Sequence, residues 1–80
     1  MIQDVVIKEI SKHIGCEENQ ISPEMRLDEL GIDSLDTITM LFEFEDRYDL
    51  EISNEVLESF NVVNDIVVHL EQLLKNKASQ

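Results

Sequence analysis

Apolar residues recur at helical spacing in three stretches of the chain. Ile2, Val6, Ile10 and Ile14 stand four apart, with Val5 beside them, and mark one face of a helix over 2–14. Gly15 follows as its C-terminal cap. Several β-branched residues lower the local helix propensity, so packing must hold this element. A second helix is predicted over Ser34–Tyr48, with Asp33 and Asp36 concentrated at its start, where a helix favours acids. The last helix is predicted over 62–76 with Asn61 as its cap, since Val63, Ile66, Val67, Leu70, Leu73 and Leu74 keep the period. A shorter segment, 54–59, has room for one or two turns, capped by Ser53 or Asn54. Lys75 and Lys77 suit a helix C-terminus, and the polar tail 76–80 is expected to fray.

Residues 16–33 read as a long loop. Ser22-Pro23 has the form of a local cap followed by proline at a first helical position. Leu27 and Leu30 are placed on a short turn that plugs the bundle, and Gly31 breaks the chain before the second helix. No segment alternates as a strand does; Ile21, Ile52 and Val62-Val63 are too isolated. The expected fold is all-α, one domain over 1–80: a small three-to-four-helix bundle with a long loop between the first two helices. A long structured loop is unusual in so small a domain and is often functional.

The second helix carries more apolar surface than the bundle needs. On a helical wheel Met40, Leu41, Phe44 and Tyr48 share one sector, and Leu35, Ile38 and Phe42 share its neighbour. Ser34 and Glu45 lie between them; Asp36, Thr39, Glu43, Asp46 and Arg47 form the polar back. The apolar arc spans roughly 220°, against the approximately 100° stripe of an ordinary surface helix. One sector should face the core. The other is either covered by segment 54–59 or the long loop, or exposed beside Ser34 as a binding surface rimmed by Asp33, Asp36, Glu45 and Asp46.

Charge narrows the partners. Eighteen acidic residues against six basic ones give a formal charge of −12. That field repels nucleic acid and anionic lipid, and it suits either simple solubility or encounter with basic proteins. No apolar run is long enough to cross a bilayer, and MIQDVVIKEI lacks the basic start of a signal peptide, so a cytoplasmic protein without membrane insertion is expected. Cys16 stands alone, as a reactive thiol or as a small apolar residue. An enzyme is not expected: His13 and His69 fall on separate helices with no triad or metal spacing. Segment 46–58 fails as a calcium loop, with Tyr48 at its third position and Glu51 where the turn needs glycine.

The stretch Glu29-Leu30-Gly31-Ile32-Asp33-Ser34-Leu35-Asp36 resembles the modification site of acyl carrier proteins, in which Asp-Ser-Leu heads the second helix after a glycine-containing turn. The resemblance extends over essentially the whole chain, through the upstream loop, Asp49-Leu50-Glu51-Ile52 and the last helix. It implies that a phosphopantetheinyl transferase moves 4'-phosphopantetheine from coenzyme A onto Ser34, and that the arm's thiol then carries acyl groups as thioesters. Asp33 and Leu35 flank the attachment site; a phosphodiester at a helix start meets backbone N–H groups, while Asp33 opposes it and is assigned to recognition. The resemblance further implies partner docking through Leu35, Ile38 and Phe42, with Asp36, Glu45 and Asp46 meeting basic surfaces on synthases, reductases and transferases. A long acyl chain would lie between helices, near Met40, Phe44, Leu57, Phe60 and Ile66. A monomer is expected.

Some positions depart from the fatty-acid carriers. Thr39 stands where an acid is usual, Phe42 is bulkier than the usual aliphatic, and Glu43 and Arg47 alter the charge pattern. These point to a specialised carrier serving a lipid, polyketide or similar pathway. Ile32 before Asp33 resembles acyl rather than peptidyl carriers. The rival reading is a non-carrier acidic helical adaptor that binds a protein partner through the second helix.

Overall fold

A computed structural model describes residues 2–78. Four helices follow in order: α1 (Ile2–Ile14), α2 (Ser34–Tyr48), α3 (Asn54–Leu57) and α4 (Val63–Ala78). The bundle is all-α, as the periodicity predicts. α1 packs on α4 and α2, and α3 packs on α2. The core gathers Val6 and Ile10 of α1, Met40, Leu41 and Phe44 of α2, and Val63, Ile66 and Leu70 of α4. Ile21, Leu27, Ile32 and Ile52, all outside helices, close its ends. α1 ends as expected: Gly15 takes a left-handed φ of 75° and donates to Ser11 O at 2.9 Å.

The start of α4 differs from the expectation. Asn61 is not its side-chain cap. Asp65 in the first turn reaches back, accepting from Asn61 N at 2.9 Å and Val62 N at 3.0 Å. The long loop satisfies the next two donors: Val63 N donates to Met25 O at 3.0 Å and Asn64 N to Pro23 O at 2.9 Å. Leu27 N returns a bond to Asn61 O at 2.9 Å, and Arg26 and Val62 form an isolated antiparallel bridge. The loop is therefore fixed across the end of α4 by its own backbone.

Two further expectations are corrected. Ser22-Pro23 opens a turn, closed by Met25 N on Ser22 O at 3.1 Å, and not a helix; the loop's single 3₁₀ turn lies earlier, at Glu18–Gln20. α4 ends later than the predicted 76, at Ala78, and positions 79 and 80 of the tail expected to fray lie outside the described residues. Lys77 contributes to that extension, donating from Nζ to Tyr48 O and Asp49 O, both at 2.8 Å.

Candidate functional site

The loop delivers the chain to Ser34 through a tight turn. Leu27 is buried as its plug, with Leu30 half-buried beside the core. Leu27 O accepts from Leu30 N and Ile32 N at 3.1 and 3.0 Å, and Gly31 takes a left-handed φ of 78° between them. Asp33 then caps α2: its Oδ1 accepts from Asp36 N at 2.8 Å, and Asp36 Oδ2 accepts from Asp33 N at 3.4 Å. The pair forms a reciprocal capping box, so both acids have a structural role besides the charge they add.

This cap places Ser34 as the first residue of α2, with an exposed side chain. Two open clefts meet there. One, of about 270 Å³, lies between Ser34 and Ile38 of α2 and Asn54, Leu57 and Glu58 of the α3 segment. The other, of about 170 Å³, is bordered by Asp33, Ser34, Thr37, Leu57, Phe60 and Asn61 among others. Leu57 and Glu58 border both, so α3 stands between them. Of the residues expected along an acyl chain, Leu57 and Phe60 face these clefts. Met40, Phe44 and Ile66 are only 1, 2 and 1 % exposed and are packed into the closed core.

The two apolar sectors of α2 separate as the wheel allows. Met40, Leu41 and Phe44 are buried, whereas Leu35 is 69 % and Phe42 58 % exposed. Neither the loop nor α3 covers the second sector as a whole; Ile38 alone is half-buried, at the cleft beside α3. Asp46 is exposed, and Asp36 and Glu45 are half-exposed. Glu45 does more than face outward: its Oε2 accepts from Ile52 N at 2.9 Å.

Sequence reasoning missed a second cluster. Glu9 of α1, 5 % exposed, accepts from Arg47 Nη2 of α2 at 3.1 Å, with Lys12 Nζ 3.8 Å from the same oxygen. Burial works against the Glu9 carboxylate, but the hydrogen bond from Arg47 and the charges of Lys12 and Arg47 hold it below the usual range. The only sequence signal was Arg47 itself, a cation in an acidic helix. Arg47 is thus part of an interhelical clasp.

A cofactor arm attached through a serine needs an accessible hydroxyl, a helix start for its phosphate and a channel for what it carries. Ser34 offers an exposed residue at a helix start, beside two open clefts. A profile for the phosphopantetheine attachment site matches residues 4–70. A protein described as an acyl carrier protein homolog, from Mycoplasmopsis pulmonis, is 39% identical over 74 residues, covering 92% of this chain and 97% of its own. An acyl carrier protein from Thermotoga maritima is 36% identical over 66 residues, covering 81% of this chain and 82% of its own. A crystal structure of an acyl carrier protein from Thermotoga maritima superposes with a TM-score of 0.79 at 26% identity, covering 95% of this chain and 94% of that one. The fold and site define a phosphopantetheine-bearing carrier domain. The chain belongs to the acyl carrier protein family. Its cofactor is covalent 4'-phosphopantetheine, and its class is carrier, not enzyme. Proteins of this family interact with enzymes of acyl metabolism. No helix among the described residues is long and apolar enough to cross a membrane.

Proposed function

We propose that Ser34 bears the phosphopantetheine and that the chain, as a monomeric single domain in the cytoplasm, shuttles acyl thioesters between enzymes of fatty-acid, lipid or polyketide biosynthesis. The observation that carries this reading is the exposed Ser34 at the capped start of α2, where two clefts meet. The protein's role is presentation. Asp33 and Asp36 fix the first turn of α2, Gly31 allows the approach, and the loop anchored on α4 keeps both in place. The arm, when attached, supplies the thiol that forms the thioester.

Partners dock on the exposed sector of α2. Leu35 and Phe42, seven residues apart, stand about 10 Å from each other along the helix, with Ile38 between them. Asp36 and Asp46 add charge at the edge of this patch, and Glu45 contributes to the same negative field. A transferase, synthase or reductase meeting this face would present basic residues around an apolar depression. Phe42 supports a specialised carrier, because it changes what a partner meets on the exposed side of α2.

The shuttle reading is tested by loading. The phosphopantetheinylated chain, given an acyl donor and a synthase or transferase of this class, should gain an acyl group that hydroxylamine removes. A chain that stays unacylated, or whose acyl group resists hydroxylamine, would contradict it.

A further inference from the structure

We infer that Glu45 is a positioning residue, whose carboxylate holds the α2–α3 turn and, through it, α3 beside the clefts at Ser34. The inference deepens the carrier reading, since the placing of those clefts matters to function only if Ser34 bears an arm.

The turn after α2 has many backbone groups to satisfy within a few residues. Glu45 collects its donors. The backbone O of Glu45 accepts from Asp49 N, where the chain takes a left-handed φ of 55°, and from Leu50 N at 3.0 Å. The Glu45 side chain then reaches past the end of the helix to Ile52 N at 2.9 Å. Lys77 collects the acceptors, bonding Tyr48 O and Asp49 O and pairing with the Asp49 carboxylate at 3.2 Å. One residue of α2 and one of α4 thus complete the turn from opposite sides.

What the turn controls is α3. Ile52 is buried, and Ser53 directly follows it as the N-cap of α3, accepting from Val56 N at 3.4 Å. α3 is only four residues long and cannot persist by its own propensity. Its Leu57 borders both clefts. The carboxylate of Glu45 is the side-chain contact that pins the residue just ahead of that cap. What the turn needs from Glu45 is an acceptor oxygen at this reach, because without one a buried N–H is left without a partner.

Two conservative variants separate this role from a docking role. Glu45→Gln keeps the reach and an acceptor oxygen but removes the charge. Glu45→Asp keeps the charge but shortens the side chain by one methylene, which a 2.9 Å bond cannot absorb. Amide exchange is measured on the unmodified chain at Ile52 and across α3. Gln should remain within about threefold of the parent, and Asp should exchange about tenfold faster. The same variants, carrying an octanoyl-phosphopantetheine, are then exposed to hydroxylamine, and the Asp variant should lose its thioester several-fold faster. Protection kept by Asp and lost by Gln, or lost by both, or unaltered in both, overturns the inference. So does unaltered thioester cleavage in an Asp variant whose Ile52 amide is exposed. Amide exchange needs no arm, so failure to load the chain counts against the carrier reading alone.

Discussion

Arg47 of α2 donates from Nη2 to Glu9 Oε1 of α1 at 3.1 Å, joining two helices through a carboxylate that is 5 % exposed. The guanidinium also lies 6.0 Å from the centre of the Phe44 ring, so the clasp sits directly on the core. A buried carboxylate deprived of its main partner costs more than an exposed pair contributes. Arg47→Met should therefore lower the unfolding midpoint, by less than in a fully buried pair because Arg47 is itself partly exposed and Lys12 remains nearby. Urea unfolding measures this; an unchanged midpoint would show that the clasp adds nothing.

The same carboxylate gives stability a pH dependence. The folded Glu9 group lies below its ordinary value of 4.5, so its contribution is complete above that pH. It is lost as the pH falls through the lower, folded value, because the unfolded chain then binds the proton first. Acidification also relieves the repulsion of a chain carrying −12, which acts in the opposite direction. Comparing the parent with Glu9→Gln cancels most of that shared term. The stability difference between them should shrink as the pH drops below 4.5, and a difference that grows there would refute the assignment.

Lys77 closes the C-terminal end of α2 from a distance of 28 residues in sequence. A cation at the last carbonyls of a helix meets the negative end of its dipole as well as its unpaired acceptors. Lys77→Met should cost about 1 kcal/mol and speed amide exchange around the α2–α3 turn more than in α1. Uniform exchange changes across the chain would deny Lys77 a local role.

The docking patch makes a contrasting prediction. Phe42 is 58 % exposed, so Phe42→Ala should shift stability by no more than about 0.5 kcal/mol. It should nevertheless raise KM for phosphopantetheinyl transfer severalfold, with kcat little altered. Asp46→Lys should slow transfer mainly at low salt, where the field is unscreened. A Phe42 variant that is unstable, or an Asp46 variant indifferent to salt, would remove the corresponding residue from the surface.

Much of the fold was legible because local signals agreed. The four-residue spacing of Ile2, Val6, Ile10 and Ile14 located α1, and the wheel divided α2 into two apolar sectors, of which only the structure shows Leu35 and Phe42 left exposed. Gly15 and Asp33 marked boundaries because their roles depend only on neighbours in sequence. The misreadings were tertiary. Asn61 looks like a cap, but backbone carbonyls of Pro23 and Met25, some forty residues away, take up the first donors of α4 instead. Nothing in the sequence singles out Glu9 on α1; only the packing of α2 brings Arg47 to it. Glu45 reads as a surface charge, because its bond to Ile52 N exists only once the turn has closed.

The most direct measurement concerns the Ser34 hydroxyl. The unmodified chain is incubated with coenzyme A, magnesium and a broad-specificity phosphopantetheinyl transferase, then weighed intact and mapped by peptide. One phosphopantetheine is predicted, on the peptide containing Ser34, and none on Ser34→Ala. No gain in mass, or a gain that survives the substitution, would contradict the account and leave an acidic helical adaptor in its place.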